Sequence, residues 1–380
     1  MGQQKFSAIT VAMAYIGTVV GAGFASGQEA LQFFGFFGFW GLAGLLLATA
    51  LFIYFGYLIL KLGDELDADS HLPIIKHVGG KWVGGMIDYV IVFFLFGALA
   101  VMGAGAGALF SEQFGLPNFL GSVVLIGASL FTVLLGLNGV ISAISIVVPI
   151  LLVSVVGIAI YTLTAAGLPA GASALAIRAG DPAVPFWPLA ALVYVSYNLV
   201  LGVAVLGPMG KEAAIQKKLK KGALWGGIGL GLGAVVILLA IFARMPQAAG
   251  FEIPMIYVAG QVAPAVRIFY AIVLFSEIYT TAVGSLYGFV ARFSPPASRK
   301  MKILAIGTSG VALAASQFGF TRLVRILFPI VGYAGILMLG GLVYREIQNY
   351  LKTGLTLIPR PALKPEIKQS NDEKATEKDT

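Results

Sequence analysis

The chain has no cysteine, only two histidines and little charge. Of its 380 residues, 11% are Asp, Glu, Lys or Arg, and 58% are apolar. Without cysteine there are no disulfides and no thiolate metal sites. His71 and His77 share one polar stretch with no second ligand cluster, so a structural or catalytic metal centre is not expected there. The shortage of charge excludes more. A soluble domain carries about 25% charged residues, because water needs a polar surface to meet. This composition excludes a soluble enzyme and a nucleic-acid-binding domain, and it makes lipid the main solvent.

What is present is a series of long apolar runs. A helix needs about 20 mostly apolar residues to span a bilayer. Ten candidates occur, at about 6–34, 38–61, 84–111, 118–137, 139–164, 186–209, 222–243, 264–291, 302–317 and 321–344. An even number puts both termini on one side. With the N-terminus inside, 20 of the 25 Lys and Arg fall on inner segments and 5 on outer ones. By the positive-inside rule this predicts cytoplasmic N- and C-termini in a multi-pass protein of the cell (inner) membrane. The formal net charge of +8 is then loop charge rather than a nucleic-acid footprint. Lys5 and the small residues at 21–23 superficially resemble a cleaved signal peptide, but the apolar run resumes at once.

Residues 1–350 read as one transmembrane domain and 351–380 as a polar, disordered cytoplasmic tail. The basic segment 211–221 suits anionic headgroups. The stretch 250–263, bounded by Pro254 and Pro264, is too short to span and reads as a lid or interfacial helix.

Two spans are irregular. The first contains Gly17, Thr18, Gly21, Gly23, Ser26 and Gly27, then Gln28 and Glu29, inside a run that turns apolar again. Small residues at these spacings would serve close helix packing. Packing alone does not call for Glu29, since a charge at the bilayer centre costs about 2.5–3.5 kcal/mol on insertion scales. A helix broken at mid-membrane does call for it, because freed backbone groups need a polar cavity. The sixth span holds Tyr194, Tyr197 and Asn198. Ala14-Tyr15-Ile16-Gly17 aligns with Val193-Tyr194-Val195-Ser196, and a Gly stands eight residues after each Tyr, at Gly23 and Gly202. Irregular segments at the first and sixth of ten positions point to a 5+5 inverted repeat, with halves of about 6–164 and 186–344 and both helices interrupted.

The string from Gly17 to Glu29 resembles the opening of the YkvI-like family of bacterial membrane proteins, and Phe328-Pro329-Ile330-Val331-Gly332-Tyr333 in the tenth span is similar to it as well. The resemblance covers about residues 1–345. It implies an all-α LeuT-like fold and a place among the amino-acid permeases of the amino acid–polyamine–organocation superfamily. It supplies no substrate.

In a broken first helix, N–H groups near 23–27 would suit a carboxylate and carbonyls near 17–20 an ammonium or a metal cation. An α-amino acid brings both charges. Thr18, Ser26, Tyr197 and Asn198 are the candidate side-chain contacts, and Gly21, Gly23, Gly27 and Gly202 the candidate sites of close backbone approach. Glu277 is the second charge inside a span, with Ser276, Thr280 and Thr281 within about a turn. Intramembrane carboxylates mark ion and proton pathways. The resemblance places the eighth span against the first at a cation site, so these four residues are expected to serve Na⁺ or H⁺ coupling. It also lines the outer vestibule with the first and tenth spans, which suggests a gate pair of Glu29 with Arg325, or with Arg322. The resulting expectation is a secondary amino-acid permease working by ion-coupled alternating access. It needs a small-molecule substrate, the bilayer, no nucleic acid and no cofactor beyond the coupling ion. Transport of another amine or a nucleobase, or a non-transporting membrane sensor, are the alternatives. No enzymatic constellation appears in the spans.

Overall fold

A computed structural model describes residues 7–135, 140–213, 216–294 and 298–355. Every regular element among them is helical. The first span is not one helix. It consists of α1 (Ala8–Val19), α2 (Ala22–Ser26) and α3 (Gln28–Phe33), followed by a 3-10 turn at Gly35–Phe37. Ser7 caps α1 by accepting the Thr10 N–H at 3.0 Å. Val20 and Gly21 are extended and separate α1 from α2. Gly27, at φ +80°, turns the chain between α2 and α3 in the left-handed region that glycine adopts at least cost.

The remaining helices are α4 (Phe39–Glu65), α5 (His71–Phe114), α6 (Asn118–Leu135), α7 (Val140–Ala166), α8 (Ala172–Ala179), α9 (Trp187–Ala213), α10 (Gln216–Phe242), α11 (Pro254–Gly260), α12 (Pro264–Phe293), α13 (Arg299–Ser316) and α14 (Phe320–Leu355). Eight of the described helices are long and apolar enough to cross a membrane. The broken first span and α13, whose first turn holds Arg299, Lys300 and Lys302, stand outside those eight. α5 begins before its span, with a short leading piece bent at Gly80. The stretch around Pro254 forms the short helix α11, too short to cross, as its length required.

Two expectations are corrected. The sixth span, α9, is a continuous helix through Asn198 and Gly202, with no interruption. The Asn198 side chain donates to the Tyr194 carbonyl one turn back, at 2.9 Å, so its polar group is satisfied without breaking the backbone. The first residues of the stretch expected to be a disordered tail from 351 are helical, because α14 runs to Leu355. The rest of that tail lies outside the described residues.

The chain divides into a unit of Met1–Leu342 and a second of Val343–Thr380. In the second, Arg345 and Tyr344 each bond Gln348 along the helix, at 3.2 and 2.6 Å. The first holds the core. Its helices meet through glycines, as membrane interfaces require. A Cβ on Gly63 of α4 would stand 2.0 Å from the Gly207 carbonyl of α9, and one on Gly210 would stand 2.0 Å from the Leu60 carbonyl. The two backbones touch, so α9 is fixed beside α4. Tyr15 of α1 donates to the Phe52 carbonyl of α4 at 2.8 Å and pins α1 against the same pair. These contacts pack α1 and α9 against the same helix, α4.

Candidate functional site

The break opens onto a cavity of about 170 Å³. One wall is the backbone of residues 17–23. α9 contributes Tyr197, Asn198 and Leu201, and α12 contributes Glu277, Thr280 and Thr281. The apolar wall is Phe94, Ala98 and Met102 of α5 with Phe328 of α14, and Glu29 reaches in from α3. No Lys, Arg or His lines it among the described residues.

Local structure explains the polar groups. The first bond within α2 runs from the Ala25 N–H to the Gly21 carbonyl at 3.0 Å. The N–H groups of Ala22, Gly23 and Phe24 therefore have no partner inside the helix, and the last carbonyls of α1 are equally free. Each half carries a partial charge toward the gap. The Thr18 hydroxyl donates to the Ala14 carbonyl at 2.7 Å, keeping its lone pairs for the cavity.

Glu29 is 6% exposed. The Tyr197 hydroxyl donates to its Oε2 at 2.5 Å. Its Oε1 lies against Gly23, where a Cβ would come within 2.0 Å. Gly23 is thus glycine to make room for a carboxylate. Tyr197 is itself wedged among Phe33, Phe94, Phe328 and Tyr194, with ring centroids 4.9–6.1 Å away. Four aromatic neighbours fix the ring and so fix the hydroxyl on Glu29.

Glu277 is 4% exposed, and its Oε2 is buried without a hydrogen-bond partner. The Thr280 hydroxyl donates to the Glu277 carbonyl at 3.0 Å. An unpartnered buried carboxylate oxygen costs free energy unless a proton or cation meets it. Hard oxygen donors from Glu277, Thr280 and Thr281 suit a small hard cation or a proton.

The structure therefore gathers Thr18, Gly21, Gly23, Glu29, Tyr197, Asn198, Glu277, Thr280 and Thr281 at one cavity. Other expected residues lie elsewhere. The Ser26 hydroxyl donates to the Gly23 carbonyl at 2.8 Å and accepts the Gln28 N–H at 3.1 Å, so it staples the α2–α3 joint. Gly27 turns that joint against Ile241 and Met255. Gly202 packs among Leu199 and Leu206 of its own helix. Ser276 is half-buried, bonds the Ile272 carbonyl, and borders a separate apolar hollow with Phe110 and Phe275. The Glu29–Arg325 gate pair is not formed. Glu29 folds back into the break instead of facing outward, while Arg325 stands 3.9 Å from the exposed Asp181. Arg322 borders a third hollow with Phe93 and Phe318.

Some contacts had no sequence signal. Phe94, Ala98, Met102 and Phe328 read as ordinary apolar span residues. Tyr270 of α12 donates to the Ala25 carbonyl at 2.5 Å and ties α12 to α2. At the α11 end, the Glu112 carboxylate accepts the N–H groups of Glu252 and Ile253 at 2.5 and 3.2 Å. Glu252 in turn accepts those of Phe320 and Thr321 at 2.6 and 3.2 Å, capping α14. At the other end, Asp88 of α5 pairs with Arg292 of α12 at 2.5 Å and faces His71 at 3.7 Å. Burial holds the His71 imidazole below its ordinary pKa, outweighing the opposite pull of Asp88.

The fold matches known proteins. MhsT in complex with L-phenylalanine superimposes with a TM-score of 0.60 at 19% identity, covering 89% of each chain. A Na⁺-coupled sialic acid symporter, solved substrate-bound and outward-open, gives 0.60 at 15% identity, covering 90% of this chain and 80% of that one. The protein is a membrane protein with a LeuT-like fold. No family profile matches the chain. It is 32% identical over 356 residues to the uncharacterized membrane protein YkvI of Bacillus subtilis (strain 168), covering 91% of this chain and 98% of that protein. The chain belongs to the YkvI family.

Proposed function

We propose that the chain is a secondary active transporter of a small solute bearing an ammonium group, with amino acids as the first class to test, working by ion-coupled alternating access. The observation that carries this reading is the cavity at a helix break with two buried carboxylates and, among the described residues, no lining cation. In this reading Glu29 and Asn198 meet the solute's ammonium. Glu277, Thr280 and Thr281 take the coupling Na⁺ or H⁺. The chain sits in the cell membrane with both termini cytoplasmic, an orientation supported by the 20:5 division of its basic residues. The Na⁺ coupling named for the sialic acid symporter and the amino acid bound to MhsT support the class.

The test is uptake of labelled amino acids and amines into proteoliposomes, with Na⁺ and pH gradients imposed separately. Accumulation driven by one gradient and abolished in Glu277→Gln is the expected result. Flux indifferent to both gradients contradicts coupling through Glu277. Binding without any flux supports a sensor instead.

A further inference from the structure

We propose that the cavity selects solutes with a net positive charge over zwitterions, and that Glu29 is the residue that sets this preference. The inference deepens the transport reading above and rests on it.

The argument is a charge count. Glu29 and Glu277 are both more than nine-tenths buried and both line the cavity. Among the described residues no basic side chain lines it. An unbalanced buried charge is costly, so the loaded cavity tends to neutrality. One coupling cation at Glu277, whose Oε2 lacks any partner, balances one carboxylate. A cationic solute balances the other, in place of the proton that a buried carboxylate otherwise holds. A zwitterion brings no net charge and leaves Glu29 to its proton. A primary amine, or an amino acid with a cationic side chain, brings the missing charge.

Geometry assigns the second role to Glu29 rather than to a mobile ion. Tyr197 holds Oε2 at 2.5 Å, and Oε1 is pressed against Gly23 at the gap between α1 and α2. Glu29 thus stands as a fixed carboxylate on the side of the gap where a zwitterion's own carboxylate would otherwise lie. Two carboxylates there would repel. Tyr197 is a positioning residue, because it orients Glu29.

A matched pair tests this: L-leucine and 3-methylbutylamine, which differ only by the carboxylate. Uptake is counted above protein-free liposomes and paired with thermal-shift binding in detergent. The expected result is a preference for the amine of about tenfold or more, equivalent to about 1.4 kcal/mol. Glu29→Gln is expected to erase or invert that preference, and Glu29→Asp, which keeps the charge, to retain it in weaker form. Tyr197→Phe is expected to reduce the preference ratio with the protein still folded. Leucine preferred by the natural sequence overturns the inference, as does an unchanged ratio in Glu29→Gln. Amine binding without flux supports the inference and overturns the transport reading. Neither binding nor flux of either compound overturns both.

Discussion

The first and sixth spans share a Tyr, a polar centre and a Gly eight residues after the Tyr, yet one is broken and the other is not. α1 stops at Val19, and the chain runs extended through Gly21 before α2 begins. α9 continues from Trp187 to Ala213. The difference lies in where the backbone groups find partners. In α9 the Asn198 amide returns to its own helix, and the backbone stays helical on both sides of it. In the first span, Gly21 and Gly23 lack the side chains that would stabilise a helix, and Gly27 turns the chain in a left-handed conformation. A polar residue in an apolar span is therefore no sign of a break by itself. A cluster of glycines followed by a buried acid is a better one.

The largest expected effect comes from substituting the paired glycines. Gly23→Ala drives a Cβ to within 2.0 Å of Glu29 Oε1, so the carboxylate must move. Uptake per folded protein is expected to fall by about tenfold or more, on the order of 1.4 kcal/mol or more in transition-state terms. Gly202→Ala meets nothing closer than 3.6 Å and is expected to keep uptake within about twofold, with slightly higher thermal stability from helix propensity. Equal losses from the two would mean that the spans are functionally alike after all.

A smaller effect separates the cavity from the far end of the bundle. His71 is held below its ordinary pKa by burial, so the folded state favours the neutral ring. The unfolded chain binds more protons below about pH 6.5, and His71 therefore favours folding above that pH and loses this contribution as pH falls. His71→Gln is expected to flatten the acid side of the melting profile slightly and to leave the pH dependence of uptake unchanged. A shift in the uptake profile would place proton coupling at His71 rather than in the cavity.

Much of this was legible in the sequence. Eight of the ten expected crossings are helices long and apolar enough to span, and the break followed from Gly17, Gly21, Gly23 and Gly27 beside Glu29. Glu277, Thr280 and Thr281 were legible because spacings of three and four share one helix face. Ser276 was misjudged for the same reason. One residue back turns it about 100° around the helix, toward the separate hollow beside Phe275. The Glu29–Arg325 pairing was misjudged because charge alone does not say where a chain folds back, and the room beside Gly23 decides that. Phe94, Ala98 and Met102 carried no signal, since an apolar residue facing a cavity looks like one facing lipid.

The most direct test uses the absence of cysteine from the natural chain. Gly21 lines the cavity with nothing within 4 Å of a Cβ, whereas Gly202 is buried within α9. Gly21→Cys and Gly202→Cys can each be treated with a small charged thiol reagent in proteoliposomes. Labelling of Gly21→Cys that stops uptake and is slowed by transported solute, with Gly202→Cys unlabelled, is the expected result. An unreactive Gly21→Cys, or labelling that solute does not slow, would contradict a transport site at the broken first helix.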